Sequence, residues 1–125
     1  MKELSASFKI NAEPEEIFRA MSDSFTLELW TGCPAIMQAV EGTEFELWDG
    51  DICGVNLEFV ENHKIVQEWY FGEQEEKSTV TMTLRPKGRA TIIELNHINI
   101  PDEAFDNIRK GWYETYFKSL QEFFR

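Results

Sequence analysis

Metal-binding and redox residues are scarce, with two cysteines and two histidines in 125 residues. Cys33 and Cys53 have no CxxC spacing and no nearby histidine, so zinc and thioredoxin-type chemistry both lack a scaffold. Both read as ordinary buried thiols. There is no His-x-His pair, no His-Glu helical pair and no cysteine cluster, and the carboxylates mostly alternate outward on strand-like runs. No metal and no cofactor are expected. A glycine-rich phosphate cradle and a nucleophile elbow are missing too. Positive charge is short: 12 Lys and Arg stand against 23 Asp and Glu, a net charge of −11. Such a surface repels phosphate backbones and anionic lipid, which argues against nucleic-acid and membrane partners. Solubility is its plainest purpose. No apolar run approaches membrane-spanning length, and MKELSASFKI at the start alternates where a signal peptide would be continuously apolar. A cytoplasmic protein is expected.

Large rings are abundant. Aromatic residues make up 14% of the chain, including ten Phe and four Trp. A chain of this length reads as one domain, residues 1–125, able to bury roughly two thirds of the surface it exposes when unfolded. The stretch GWYETYFKSLQEFF, Gly111 to Phe124, holds six aromatic residues in fourteen. A chain end without a tether frays and is polar, so this one must be held against something large and apolar.

The period of the apolar residues supplies the elements. Leu4, Ala6, Phe8 and Ile10 alternate with polar residues, which predicts a first strand. Pro14, between Glu13 and Glu15-Glu16, opens a helix with acids at its positive end and Ile17, Phe18 and Met21 on its apolar face. A second short helix is predicted from Ser24 to Trp30, ended by Gly32 and Pro34. Turn signals then recur at Glu41-Gly42, Asp49-Gly50, Glu61-Asn62, the acidic loop Gly72 to Lys77, and Lys87-Gly88, spaced for antiparallel hairpins. Five strand-like runs lie between them. One face takes Phe45 and Leu47, then Cys53, Val55, Leu57 and Phe59, then Ile65, Trp69 and Phe71, then Val80, Met82 and Leu84, then Ile93 and Leu95. The other takes Glu44, Glu46, Asn56, Glu58, Glu68 and the Thr79, Thr81, Thr83 series, so one side is wet and one dry.

The cover for the dry side is the last segment, a helix beginning after Pro101 with Asp102 and Glu103 in its first turn. On a regular helix Phe105, Ile108, Trp112, Tyr113, Tyr116, Phe117, Leu120, Phe123 and Phe124 fall within an arc of about 180°. So wide an apolar face suits a curved sheet wrapped around the helix. Gly111 projects away from that arc and is expected to face solvent.

A strand, two short helices, a run of antiparallel strands and one long C-terminal helix make up the order of the helix-grip, or START-like, α+β fold, with about six or seven strands. Three segments narrow the resemblance. FKINAEPEEIFRAMSD resembles the opening of the family named for the activator of the heat-shock protein 90 ATPase. FELWDGDICGVNLEFVENHKIVQEWYF resembles that family's central hairpin, with Asp49-Gly50 at one turn, Gly54 after it, and Ile65, Val66 and Trp69 following. NIPDEAFDNIRKGWYETYFKSL resembles its closing signature, with Gly111-Trp112 and Tyr116-Phe117. The activator that names the family has a larger domain before this one, which the resemblance does not cover.

The resemblance implies a non-catalytic protein-binding module, a chaperone regulator or stress-response adaptor, and the acidic surface would steer a basic partner at low salt. A second reading follows from the wider superfamily, whose members often hold a cavity between sheet and helix: a carrier or sensor of an apolar small molecule. Phe45, Leu57, Phe59, Trp69, Met82, Tyr113 and Tyr116 would line it, unless the same rings meet and fill the space. A polyketide-cyclase-like enzyme is the third. The inward polar residues are Gln67 and His97, read first as buried groups that find partners. A general base at His97 would need a nucleophile or paired carboxylate on the same face, and the alternation places none there. His63 falls in a turn. The oligomeric state is not legible.

Overall fold

The architecture is that of a computed structural model, which describes residues 1–72 and 76–125. Six antiparallel strands form one sheet: β1 (Lys2–Ile10), β2 (Glu44–Leu47), β3 (Ile52–Val60), β4 (Lys64–Trp69), β5 (Ser78–Lys87) and β6 (Ala90–Ile100). Their spatial order is β1-β6-β5-β4-β3-β2, so the first strand closes the far edge beside the last. Helices α1 (Pro14–Ser22) and α2 (Ser24–Thr31) join β1 to β2. The expected turns at Asp49-Gly50, Glu61-Asn62 and Lys87-Gly88 all separate strands. The acidic loop expected at Gly72 to Lys77 lies partly outside the described residues.

Local chemistry explains the helix ends. At α1, Pro14 occupies the first turn and the Glu13 amide donates to Glu16 Oε2 at 3.2 Å, an arrangement that satisfies one of the donors every helix start leaves free. At α2, Asp23 accepts from the Thr26 amide at 3.0 Å and the Thr26 hydroxyl at 2.7 Å. Those bonds, the hydroxyl's first, hold the Asp23 carboxyl below its ordinary range. Gly32, at φ 74°, ends α2 in the left-handed conformation, which glycine adopts without a Cβ penalty.

The long C-terminal helix is three pieces in unbroken succession. A short 3-10 turn leads into α3 (Phe105–Gly111), then a π-helical turn (Trp112–Tyr116), then α4 (Phe117–Phe123). The wider turn rotates the wheel. Trp112, Tyr116, Phe117 and Leu120 are buried, whereas Tyr113 and Phe123 are 44% and 41% exposed. The apolar arc is therefore narrower than a regular helix predicts. Phe117 stacks on Phe8 with centroids 4.0 Å apart, fastening α4 to β1.

One strand departs from the expected alternation. Gly54 pairs with both Phe45 and Trp69, and Asn56 pairs with Gln67. Ile52, Gly54 and Asn56 thus share the inner face, and Asn56 is fully buried. Cys53, Val55 and Leu57 sit on the outer face, where Leu57 is 40% exposed. A bulge between Asn56 and Glu58 inserts one residue and returns Phe59 to the inner side, opposite Ile65. A one-residue slip exchanges the two faces of a strand. Asn56 is corrected from the wet to the dry face, and Cys53, Val55 and Leu57 from the dry to the wet. The thiols of Cys33 and Cys53 are half-buried rather than buried.

Candidate functional site

The inner face leaves a cleft of about 270 Å³ where the sheet and the C-terminal helix diverge. The β2–β3 turn and the start of β3 contribute Trp48, Asp51 and Ile52. The end of β4 contributes Trp69 and the following Phe71. The helix supplies Trp112 and Tyr116 from the π turn, with Asn107, Ile108, Gly111 and Thr115 around the mouth. Five of these side chains are aromatic, and an engineered apolar cavity of about 150 Å³ already accepts a benzene ring.

The rings hold one another in place. Trp69 and Trp112 stack at 4.6 Å, and Trp112 meets Tyr116 at 4.7 Å. Trp48 has φ 50° and is followed by Asp49 at 56° and Gly50 at 94°. A bulky residue in the left-handed region costs on the order of 1–3 kcal/mol, and such strain gathers at functional sites. Here it sets the Trp48 ring against Trp30 at 5.8 Å and Tyr116 at 5.6 Å. Trp30 is anchored through its Nε1, which donates to the Ala20 carbonyl at 2.8 Å.

Behind the stacked indoles run two buried polar chains. Trp69 Nε1 donates to Gln67 Oε1, and Gln67 Nε2 donates to Asn56 Oδ1, both at 3.1 Å. Asn56 Nδ2 passes the chain to Thr43 Oγ1 and the Gln38 carbonyl at 3.2 and 3.3 Å. In the second chain Trp112 Nε1 donates to His97 Nδ1 at 3.1 Å, and His97 Nε2 lies 2.8 Å from Ser78 Oγ. The expectation that nothing nucleophilic shares the face of His97 is therefore corrected: Ser78 is beside it, fully buried.

The tautomer decides what that pair can do. An indole N–H only donates, so Nδ1 must accept and the proton of the neutral ring sits on Nε2, aimed at Ser78. Ser78 Oγ lies 3.4 Å from the Ile98 carbonyl, to which it donates in turn. A base for serine needs a bare nitrogen facing the hydroxyl and an acceptor behind the ring. His97 has the reverse arrangement. Burial pushes its pKa down to about 4, which keeps the ring neutral.

Of the nine residues expected to form the site, Trp69 and Tyr116 line the cleft, and Gln67 and His97 support its indoles from behind. The other five are elsewhere. Phe45 and Met82 are packed in the core. Phe59 sits edge-on to Phe18 at 6.2 Å. Leu57 is on the outer face, and Tyr113 leans outward on Phe8 at 5.1 Å with the Arg109 guanidinium 5.3 Å from its ring. Among the lining residues that the expected set lacked are Trp48, Asp51, Phe71, Gly111 and Trp112. Asp49-Gly50 marks the turn that carries Trp48 and Asp51, but the π turn that sets Trp112 and Tyr116 leaves no sequence signal. Gly111 faces open space as expected, with nothing within 4 Å of a built Cβ, and it borders the cleft mouth.

A Cβ built on Gly111 meets nothing within 4 Å, and its backbone is helical at φ −60°. Gly111→Ala is expected to stabilise by ~0.5–1 kcal/mol through helix propensity and to raise the melting temperature by a few degrees. The methyl group would project at the mouth and weaken ligand binding. Thermal denaturation checks the first effect, and a fall in melting temperature would mean that the π turn needs glycine.

The profile described as "Activator of Hsp90 ATPase homolog 1-like protein" matches residues 11–125. The chain belongs to this family. It is 28% identical over 113 residues to the human activator of 90 kDa heat shock protein ATPase homolog 1, a match covering 89% of this chain and 33% of that protein. The chain thus spans about a third of the length of the curated relatives it matches. The crystal structure of an HSP90 activator from Plasmodium falciparum superposes with a TM-score of 0.89 at 26% identity, covering 98% of this chain and 96% of that one. DynU16, from the dynemicin biosynthetic locus, reaches a TM-score of 0.80 at 15% identity, covering 98% of this chain and 47% of that one. At that identity it shows the fold alone. Among the described residues, no helix is long and apolar enough to cross a membrane.

Proposed function

We propose that this chain is a non-catalytic binding domain that engages a chaperone of the heat-shock protein 90 class in the cytoplasm and regulates its ATPase. The observation that carries the reading is the likeness to the Plasmodium falciparum HSP90 activator, which extends over nearly the full length of both chains at 26% identity. The matched chain is close to this one in length. The tautomer at His97 supports a non-catalytic role. Added to an ATPase of this class, the purified chain should raise turnover, and the rise should shrink with salt because a surface of net charge −11 takes part. Unchanged turnover at saturating chain would remove the chaperone role.

The cleft favours a second reading, a carrier of an apolar small molecule. Its volume of about 270 Å³ and five aromatic walls give more room than a filled core would leave.

A further inference from the structure

Tyr116 is 3% exposed and lines the cleft, yet its hydroxyl has no hydrogen-bond partner among the described residues. Burial pushes its pKa up, so it stays a neutral phenol. Buried polar groups are almost always paired, and a tyrosine hydroxyl in particular finds a partner. An unpaired one on a cleft wall marks the place for a polar atom of a ligand.

The charge around the cleft selects which atom. Asp51 lines the cleft, and among the described residues no lysine, arginine or histidine does. Between Arg19 and Lys64 the sequence holds nine acidic residues and no lysine or arginine, so this stretch carries −9 of the total −11. The nearby helix cations are engaged elsewhere. Arg109 covers Tyr113, and Lys110 pairs with Glu114 at 3.8 Å. The low-dielectric walls of a cleft focus such a field, and aromatic rings attract a cation to their faces.

We propose that the cleft binds a small organic monocation, a protonated amine on an apolar frame, whose ammonium group meets Asp51 and the Tyr116 hydroxyl while its body lies among Trp48, Trp69 and Trp112. This rests on the carrier reading and names its ligand class. Asp51 disfavours an anion of the same size. A neutral molecule fills the rings but leaves the carboxylate unanswered.

Three probes of nearly one shape separate the possibilities: phenethylamine, protonated at pH 7, neutral 2-phenylethanol, and anionic phenylacetate. Titration is followed through the indole N–H signals in proton–nitrogen correlation spectra, where Trp69 and Trp112 should move. Trp30, bonded to Ala20, should move least. The amine should bind at least about fivefold more tightly than the alcohol, with phenylacetate weakest. Asp51→Asn should bring amine and alcohol close to equal affinity. Tyr116→Phe should weaken both. If the alcohol binds as tightly as the amine, the cation inference is overturned while the carrier reading stands. A preference for the amine that survives Asp51→Asn overturns the site as drawn. If none of the three shifts the indoles, the carrier reading falls with it.

Discussion

Gly54→Ala is expected to cost about 3 kcal/mol or more and to lower the melting temperature by roughly 10–15 °C. The cause lies in strand packing rather than backbone freedom. A Cβ at this position would collide with the Glu68 carbonyl of β4 and reach within 3.1 Å of the Phe45 ring from β2. The carbonyl belongs to the neighbouring ladder, and Phe45 is 1% exposed. Neither can swing aside as a flexible surface side chain would. Relief requires β3 and β4 to part where Gly54 faces Trp69, which would also displace a wall of the cleft. With a whole-domain margin of about 5–15 kcal/mol, a loss of this size is a large share of the total. Gly111→Ala is the internal control, since it adds the same methyl group into open space. A fall at Gly54 of less than about 4 °C would show that the two strands separate easily.

The same glycine shows how far the sequence could be read. The strands, their turns and the two short helices follow from period and punctuation, because alternation and Gly, Pro and Asn signals are local properties of the chain. Which face β3 presents is not local. Cys53, Val55, Leu57 and Phe59 make a clean apolar alternation. Asn56 looks like its polar counterpart, yet the register puts Asn56 inside and the bulge after it returns Phe59 alone to that face. The clue lay across the sheet: Gln67 is inward by its own strand's alternation, and a buried amide asks for a polar partner, which Asn56 supplies at 3.1 Å. A glycine opposite Phe45 makes room for a ring. The helix tells a similar story. Its apolar residues identify it as the cover, but the π turn shifts the wheel and turns Tyr113 out. The cleft was the least legible feature because it arises from the strained Trp48 turn and that irregular helix together. Neither follows from pattern alone.

Acidification should destabilise the fold through His97 specifically. In the unfolded chain the ring titrates near 6.5, whereas in the folded protein burial lowers the value to about 4. Above pH 6.5 the ring is neutral in both states and imposes no penalty. Between 6.5 and 4 the unfolded chain takes up a proton that the folded one refuses, so stability falls as pH falls. Below about 4 both states are protonated, and the accumulated loss is ~3 kcal/mol, at 1.36 kcal/mol per unit of pKa difference. Among the described residues no charged partner softens it. Trp69, Phe71 and Trp112 enclose the ring with centroids 5.3, 6.1 and 5.9 Å away. The hydrogen-bond neighbours are the Trp112 indole and the Ser78 hydroxyl. An imidazolium there would turn a proton from Nδ1 onto the Trp112 N–H, setting donor against donor and breaking the bond that fixes the back wall of the cleft. The comparison that isolates this is His97→Asn, whose Oδ1 can still accept from Trp112 but does not titrate in this range. Urea unfolding at pH 7, 5.5 and 4.5 should show the unsubstituted protein losing stability more steeply than the variant, by up to about 1.4 kcal/mol per pH unit. Carboxylate titrations common to both proteins cancel in the difference. Parallel curves would mean that the folded protein accepts the proton at His97 without penalty, through an opening of the Trp112 contact that the closed packing does not provide.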